Sequence, residues 1–178
     1  LVMQAFNWTH GVFLGATMGS ETTAAAVGKV GEVRRDPMAM LPFCGYNMGQ
    51  YFGHWLEMQK DIPNPPKIFQ VNWFRKDAQG KFIWPGFGEN VRVLKWVIDR
   101  AHGRVGAQET LLGWVPRGGH LDLTGLDLPH EKIDAATAIN FDEWRNEFAL
   151  QEEFFKKIGE SMPEALIHQR KLLMAMVG

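Results

Sequence analysis

Two neighbouring runs carry the residue types best suited to chemistry: Lys67-Ile-Phe-Gln-Val-Asn-Trp-Phe74 and Lys81-Phe-Ile-Trp-Pro-Gly-Phe-Gly-Glu-Asn90. Together they hold four Phe, two Trp and two Gly. Rings at this density either fill a core or grip a flat ligand ring, and composition alone favours the core. Pro85-Gly86 and Gly88 break regular structure and bring backbone N–H groups close to whatever lies beside them. The Asn90 amide both donates and accepts, which is the chemistry needed to read a base edge. Val91 stands where a dinucleotide fingerprint starting at Gly86-Phe-Gly88 needs its third glycine, so that motif is incomplete.

Several elements must position these groups. Ile68, Val71 and the aromatics predict a strand in the first run. Asp77-Ala-Gln-Gly80 predicts a turn that returns Phe82 beside Phe74. Asn90 opens a predicted helix to His102, with Leu94, Val97, Ile98 and Ala101 as its apolar stripe and Gly103 as its stop. Gly11-Val-Phe-Leu-Gly-Ala16 reads as a buried strand, and His10 before it as a hydrogen-bonded core histidine. Ser20, before Glu21 and three alanines, reads as a helix N-terminus. Gly28-Lys29 is followed by Val30 instead of Ser or Thr, so it is not a Walker A loop. Arg34-Arg35-Asp36 reads as a solvated cluster, although two arginines can also face a triphosphate.

A helix is expected over residues 46–60, with Met48, Phe52, Trp55 and Gln59 near one face, ended by the prolines of 61–66. Leu111-Leu-Gly-Trp-Val115 reads as a strand and Pro116-Arg-Gly-Gly-His120 as a turn. His120, Asp122, His130 and Glu131 match no zinc spacing and read as surface residues. The tail is helical. Asn140-Phe-Asp-Glu143 and Ser161-Met-Pro-Glu164 resemble capping boxes. Trp144, Phe148, Phe155 and Ile158 share one helical face, and Leu166, Leu173 and Met176 another. Glu152-Glu153 before Lys156-Lys157 is a solvated, paired face.

The 178 residues suffice for one domain with a real core. A formal net charge of -1 gives no basic field for nucleic acid or an anionic membrane. Cys44 is the only cysteine, which excludes an internal disulfide and fits a reducing cytoplasm; its apolar neighbours predict an inert, buried thiol. Leu1-Val-Met-Gln-Ala5 lacks the basic leader and apolar run of a signal peptide, and no stretch reaches the length of a membrane span. The chain reads as starting within an element, as a fragment would.

Longer motifs add a family resemblance. Asn72-Trp-Phe-Arg-Lys-Asp77 with Phe82-Ile-Trp-Pro-Gly-Phe-Gly-Glu-Asn90 resembles the guanine pocket of GTP-dependent phosphoenolpyruvate carboxykinases. Upstream, and in family order, Trp8-Thr-His-Gly-Val-Phe-Leu-Gly-Ala-Thr-Met18 leading into Ser20-Glu-Thr-Thr-Ala-Ala-Ala26, and Asp36-Pro-Met-Ala-Met-Leu-Pro-Phe43 running into Gly45-Tyr-Asn47, resemble further segments of the same family. The resemblance is dense over about the first hundred residues and looser after them. It implies an α/β fold: the C-terminal nucleotide-binding portion of the carboxykinase, a mixed sheet with flanking helices and a helical tail over about 140–177. It implies a guanine pocket over about 72–91, with Trp73, Phe74, Phe82, Phe87, Gly88, Glu89 and Asn90 contacting the nucleotide. It also implies an active-site lid over about 20–35, formed by Glu21, Thr22, Thr23, Ala24, Ala25, Ala26, Val27, Gly28, Lys29, Val30 and Gly31.

The activity so implied is conversion of oxaloacetate and GTP to phosphoenolpyruvate, GDP and carbon dioxide, a cytoplasmic step of gluconeogenesis. The implied metals are Mn2+ and Mg2+; the implied partners are the nucleotide, oxaloacetate, phosphoenolpyruvate and the N-terminal remainder of the same protein, with no nucleic acid and no membrane. The sequence departs from this pattern by absence. It has no phosphate-binding G-x-x-x-x-G-K-S/T, no reactive Cys in such a loop and no Lys, His and Asp set for manganese. The expectation is therefore an enzyme as the parent, no catalytic residue or metal ligand in this piece, and a piece inactive alone. The alternative is a non-catalytic module that binds a nucleotide or packs against a partner.

Overall fold

The computed structural model describes residues 1–21 and 33–178. In chain order the elements are β1 (Val2–Gln4), α1 (Trp8–Thr17), β2 (Gly19–Glu21), β3 (Val33–Arg35), α2 (Met48–Asp61), β4 (Phe69–Val71), α3 (Asn90–Ala101), β5 (Gln108–Thr110), β6 (Gly113–Val115), α4 (His130–Thr137), α5 (Phe141–Ile158) and α6 (Glu164–Val177). The α/β class holds. Where length pointed to one domain, the chain divides into two compact units: Leu1–Phe6 with Pro66–Asn140, and Asn7–Pro65 with Phe141–Gly178. No helix among the described residues is long and apolar enough to cross a membrane.

The first unit is a four-stranded sheet in the order β4-β1-β6-β5, covered by α3. Its pairings are all antiparallel, where a mixed sheet was expected. Val2 lies opposite Val71 and Gln4 opposite both Phe69 and Trp114. The strand predicted in the first aromatic run forms, but only Phe69–Val71 pairs. Residues 111–115 are not one strand: Leu111 and Leu112 turn between β5 and β6. Gly113 has φ 152, and a Cβ there would stand 2.9 Å from the Gln4 carbonyl oxygen, so β6 approaches β1 only as glycine. Val2, Trp84, Val93, Trp96 and Leu121 form the core, with Phe69 edge-on to Trp96 at 5.9 Å.

α3 begins at Asn90 as expected, but its buried face differs from the predicted stripe. Val93 and Trp96 are buried, whereas Leu94 and Ile98 are about half exposed. One bulky indole sets this rotation: burying Trp96 removes more apolar area than burying Leu94 or Ile98.

The second unit is helical, with α1 packed against α2 and α6. Here Gly11–Ala16 is not a strand. It lies within α1, which Asn7 caps by accepting the His10 backbone N–H at 2.9 Å. Val12, Phe13, Leu14 and Ala16 are all buried, so the segment has no polar face and its run carries no helical period. Ser20 likewise starts no helix; it pairs with Arg34 across antiparallel β2 and β3. The Trp8 indole donates to the Trp55 carbonyl at 2.7 Å. Exposed Arg34 pairs with Asp36, but Asp36 is itself buried, and half-buried Arg35 donates to Glu147 at 2.6 Å and to the Thr17 carbonyl, so only Arg34 fits the solvated reading. The Cys44 thiol is partly exposed instead of buried.

In the tail, buried Arg170 donates to the Phe148 carbonyl and to Glu152, which also meets Lys156 at 3.2 Å. Both cations hold the Glu152 carboxyl below its usual range, the Lys156 hydrogen bond most of all. Pro163 precedes α6 with no side-chain cap, so Ser161 does not form the predicted box. Val177 takes the buried place assigned to Met176, since it falls four residues after Leu173.

Two consequences can be measured. A Cβ on Gly49 would lie 2.2 Å from the Ser161 carbonyl oxygen, while one on Gly53 of the same helix meets nothing within 4 Å. Gly49→Ala should lower stability by about 1–3 kcal/mol, and Gly53→Ala should raise it by about 0.4–1 kcal/mol; thermal melts of the pair check both signs. Burial pushes the His10 imidazole down to about 4 from 6.5. Its neutral form therefore stabilises the fold above pH 6.5, and that contribution fades as pH falls toward 4. Denaturant titrations from pH 7 to pH 4 should show His10→Gln losing less stability than the unsubstituted chain, by up to about 3 kcal/mol.

Candidate functional site

The site is built on residues 72–90 of the first unit. Asn72 Oδ1 accepts the Phe74 N–H at 3.0 Å, turning the chain out of β4. Lys76 then bridges Phe82 in antiparallel register, and Ile83 N donates to the Arg75 carbonyl at 2.9 Å. Asp77 closes this small hairpin: its Oδ1 accepts from Gln79 N at 3.1 Å and Lys81 N at 2.9 Å. Gly80, at φ 76, supplies the left-handed turn residue. As predicted, Phe74 and Phe82 come together, with centroids 6.1 Å apart and rings inclined at 61°. Lys76 Nζ sits 5.1 Å from the Phe82 centroid.

The next residues alternate sharply in burial. Phe82 is 44% exposed, Ile83 and Trp84 are buried, and Phe87 is 96% exposed. Gly86, at φ 96 and ψ -143, lets the chain reverse from the buried Trp84 into the short 3-10 turn Phe87–Glu89. That turn leads straight into α3. Asn90 Oδ1 accepts the Trp84 indole N–H at 2.9 Å.

Of the seven predicted contact residues, Phe74, Phe82, Phe87 and Gly88 stand exposed around the hairpin and the start of α3, and Trp73, Glu89 and Asn90 are half-exposed. The half-exposed three have protein partners. Trp73 packs on the core of the unit. The Glu89 carboxylate is tied to Arg92 at 2.5 Å, and Arg92 also donates to the Asp122 and Thr124 carbonyls. An open hollow of about 400 Å³ lies beside this run, lined by Gly88, Glu89, Val91, Arg92, Lys95 and Asp122. The three exposed phenylalanines do not line it. Lys95 donates to Asp99, which raises the lysine and lowers the carboxyl. The Asp122 carboxyl is held low by the backbone and hydroxyl of Thr124.

Trp84, Arg92 and Lys95 were not singled out from sequence, and Asp122 was weighed only as a metal ligand and read as a surface residue. The i,i+3 spacing of Glu89 and Arg92 was a readable signal; nothing local marked Trp84 as the partner of Asn90. Of the lid residues, only Glu21 is described, as the end of β2; Thr22 to Gly31 lie outside the described residues.

Comparison with known proteins decides the family. The model of the phosphoenolpyruvate carboxykinase C-terminal P-loop domain matches residues 1–176. The chain belongs to the GTP-dependent phosphoenolpyruvate carboxykinase family. It is 63% identical over 177 residues to the phosphoenolpyruvate carboxykinase (GTP) of Anaeromyxobacter sp. strain K, covering 99% of this chain and 30% of that protein. It is 55% identical over 169 residues to that of Arthrobacter sp. strain FB24, covering 93% and 28%. The chain thus spans under a third of the length of these carboxykinases.

Although the family's domain is named for a P-loop, this sequence contains no such motif. Among the described residues no group of three or more His, Cys, Asp or Glu side chains is placed to hold an ion.

The hairpin gives a direct test of the local construction. Asp77→Ala removes both side-chain bonds to the turn and should cost about 1–2 kcal/mol. In hydrogen-exchange mass spectrometry the Lys81 and Ile83 amides should lose protection while α3 keeps its own. Unchanged protection at Ile83 would mean that the hairpin does not depend on Asp77.

Proposed function

We propose that this chain supplies the guanine-binding part of a GTP-dependent phosphoenolpyruvate carboxykinase. The whole enzyme, on this reading, decarboxylates oxaloacetate and transfers the γ-phosphoryl group of GTP to the resulting enolate oxygen. The products are carbon dioxide, GDP and phosphoenolpyruvate. The observation that carries the reading is the exposure of Phe74, Phe82 and Phe87 in a stretch whose neighbours, Ile83 and Trp84, are buried. Leaving three large rings in water opposes the hydrophobic effect unless a ligand covers them.

A purine ring stacked on such faces gains dispersion and loses bound water regardless of its substituents. Asn90 adds the substituent-sensitive contact. Guanine presents an acceptor, O6, where adenine presents an amino donor, so an amide N–H2 favours guanine. By the same family likeness, residues 21–31 act as the lid. The phosphate cradle and the oxaloacetate site belong to the part of the enzyme outside this sequence.

The test uses the complete polypeptide that carries this chain. Phe87→Ala should weaken GTP and ATP binding alike, by about five- to 150-fold if each stacked base contributes about 1–3 kcal/mol. Asn90→Ala should lower the preference for GTP over ATP more than it lowers purine affinity. Dissociation constants by titration calorimetry, with circular dichroism confirming the fold, check both. Unchanged constants for a folded Phe87→Ala protein would make that ring structural and remove the stacking reading.

A further inference from the structure

We propose that Trp84 is a positioning residue that sets purine preference by fixing which way the Asn90 amide faces. The proposal rests on the guanine-pocket reading above and adds the device that makes the pocket selective.

An asparagine by itself cannot select guanine. Its amide has a donor end and an acceptor end of nearly equal size, and rotation by 180° exchanges them. Unrestrained, it donates to guanine O6 in one orientation and accepts from the adenine amino group in the other. Selection therefore requires a second group that distinguishes the two ends.

Trp84 is such a group. Its indole is 2% exposed and packed in the core with Val93, Trp96 and Leu121. Its Nε1–H is a donor only, and it lies 2.9 Å from Asn90 Oδ1. Only the oxygen of the amide can occupy that place. The opposite orientation sets an N–H against an N–H and strands the donor of a buried indole. With the oxygen so engaged, the amide nitrogen faces away from the indole. It has no protein partner among the described residues, and Asn90 is half-buried, so that end is available to a ligand. The backbone holds the same geometry: Gly86 turns the chain between the two residues, and Asn90 N donates to the Phe87 carbonyl as α3 begins. The available end is a donor, which suits an O6 purine and opposes adenine.

The experiment measures GTP, ITP and ATP dissociation constants in the complete polypeptide. ITP shares O6 with GTP and lacks its 2-amino group, so the O6 contact is isolated. Trp84→Phe keeps a buried ring and removes the N–H. It should cut the preference for GTP and ITP over ATP about tenfold. In the background of Asn90→Ala it should change that ratio no further, because both substitutions remove one interaction. A general loosening of the site would instead shift the three nucleotides together and add to the Asn90 effect. Should Trp84→Phe not fold, Asn90→Asp carries the test. Its carboxylate still accepts from Trp84 but offers the ligand an acceptor, so the preference should move toward ATP. An unchanged ratio in folded Trp84→Phe, additive effects in the double variant, or an Asn90→Asp protein that keeps the original preference would each overturn the proposal. If Phe87→Ala weakens all three nucleotides in that case, the pocket reading survives. Absence of any purine binding to the unsubstituted protein would overturn both.

Discussion

Burial of the Trp84 indole is the constraint on which the site depends. Placed in the core with Val93 and Trp96, it pulls residues 83–84 inward. Phe82, bridged to Lys76 just before this inward turn, stays outside beside Phe74. The chain must also climb back out of the core within two residues, which it does at Gly86, in a backbone conformation that a side chain would resist. That reversal leaves Phe87 in solvent and starts α3 at Asn90. One buried ring thus accounts for the exposure of Phe87 and for the place of the amide. The candidate site is in this sense an outward consequence of the core.

Local chemistry made parts of this legible in advance. Asp77-Ala-Gln-Gly80 carries its own instructions, a carboxylate that accepts from the turn's N–H groups and a glycine for positive φ, and both act as read. The start of α3 was equally clear. The errors came where tertiary packing outweighs local pattern. α1 is buried on nearly every side, so it offers no polar face to reveal its period, and three apolar residues between glycines, Val12 to Leu14, pass for a strand. On α3 two apolar stripes compete, Val93–Trp96 and Leu94–Ile98, and only the size of the partner space decides between them.

The site residues divide along the same line. Phe74, Phe82 and Phe87 were legible as a group because several long motifs occur in family order. Their exposure was not legible, since an aromatic near a turn is more often buried. Glu89 was expected to meet the nucleotide, yet its carboxylate is neutralised by Arg92, which is in turn anchored on the Asp122 and Thr124 carbonyls. That pair braces the first turn of α3. Trp84, six residues before Asn90, was quoted with the motif but given no role, because a hydrogen bond between two side chains of one loop leaves no trace in periodicity.

The composition of this stretch also fits a division of labour within the carboxykinase. Recognising a base requires flat apolar faces and one or two oriented neutral dipoles. Holding a triphosphate requires backbone N–H nests, cations and metal. The two demands conflict locally, since strong charge close to the rings would keep them hydrated and weaken stacking. Along this stretch Arg92 is paired with Glu89 and Arg75 donates to the Ala138 carbonyl, while Lys76 lies over the Phe82 ring. The sequence has a net charge of only -1 and no phosphate loop. A base pocket of neutral contacts can therefore sit on a rigid hairpin and helix start, leaving its selectivity to the orientation of a single amide. A fixed dipole of that kind discriminates only if the protein, and not the ligand, decides which way it points, and in the pocket proposed here the buried Trp84 N–H, bonded to Asn90 Oδ1, would make that decision.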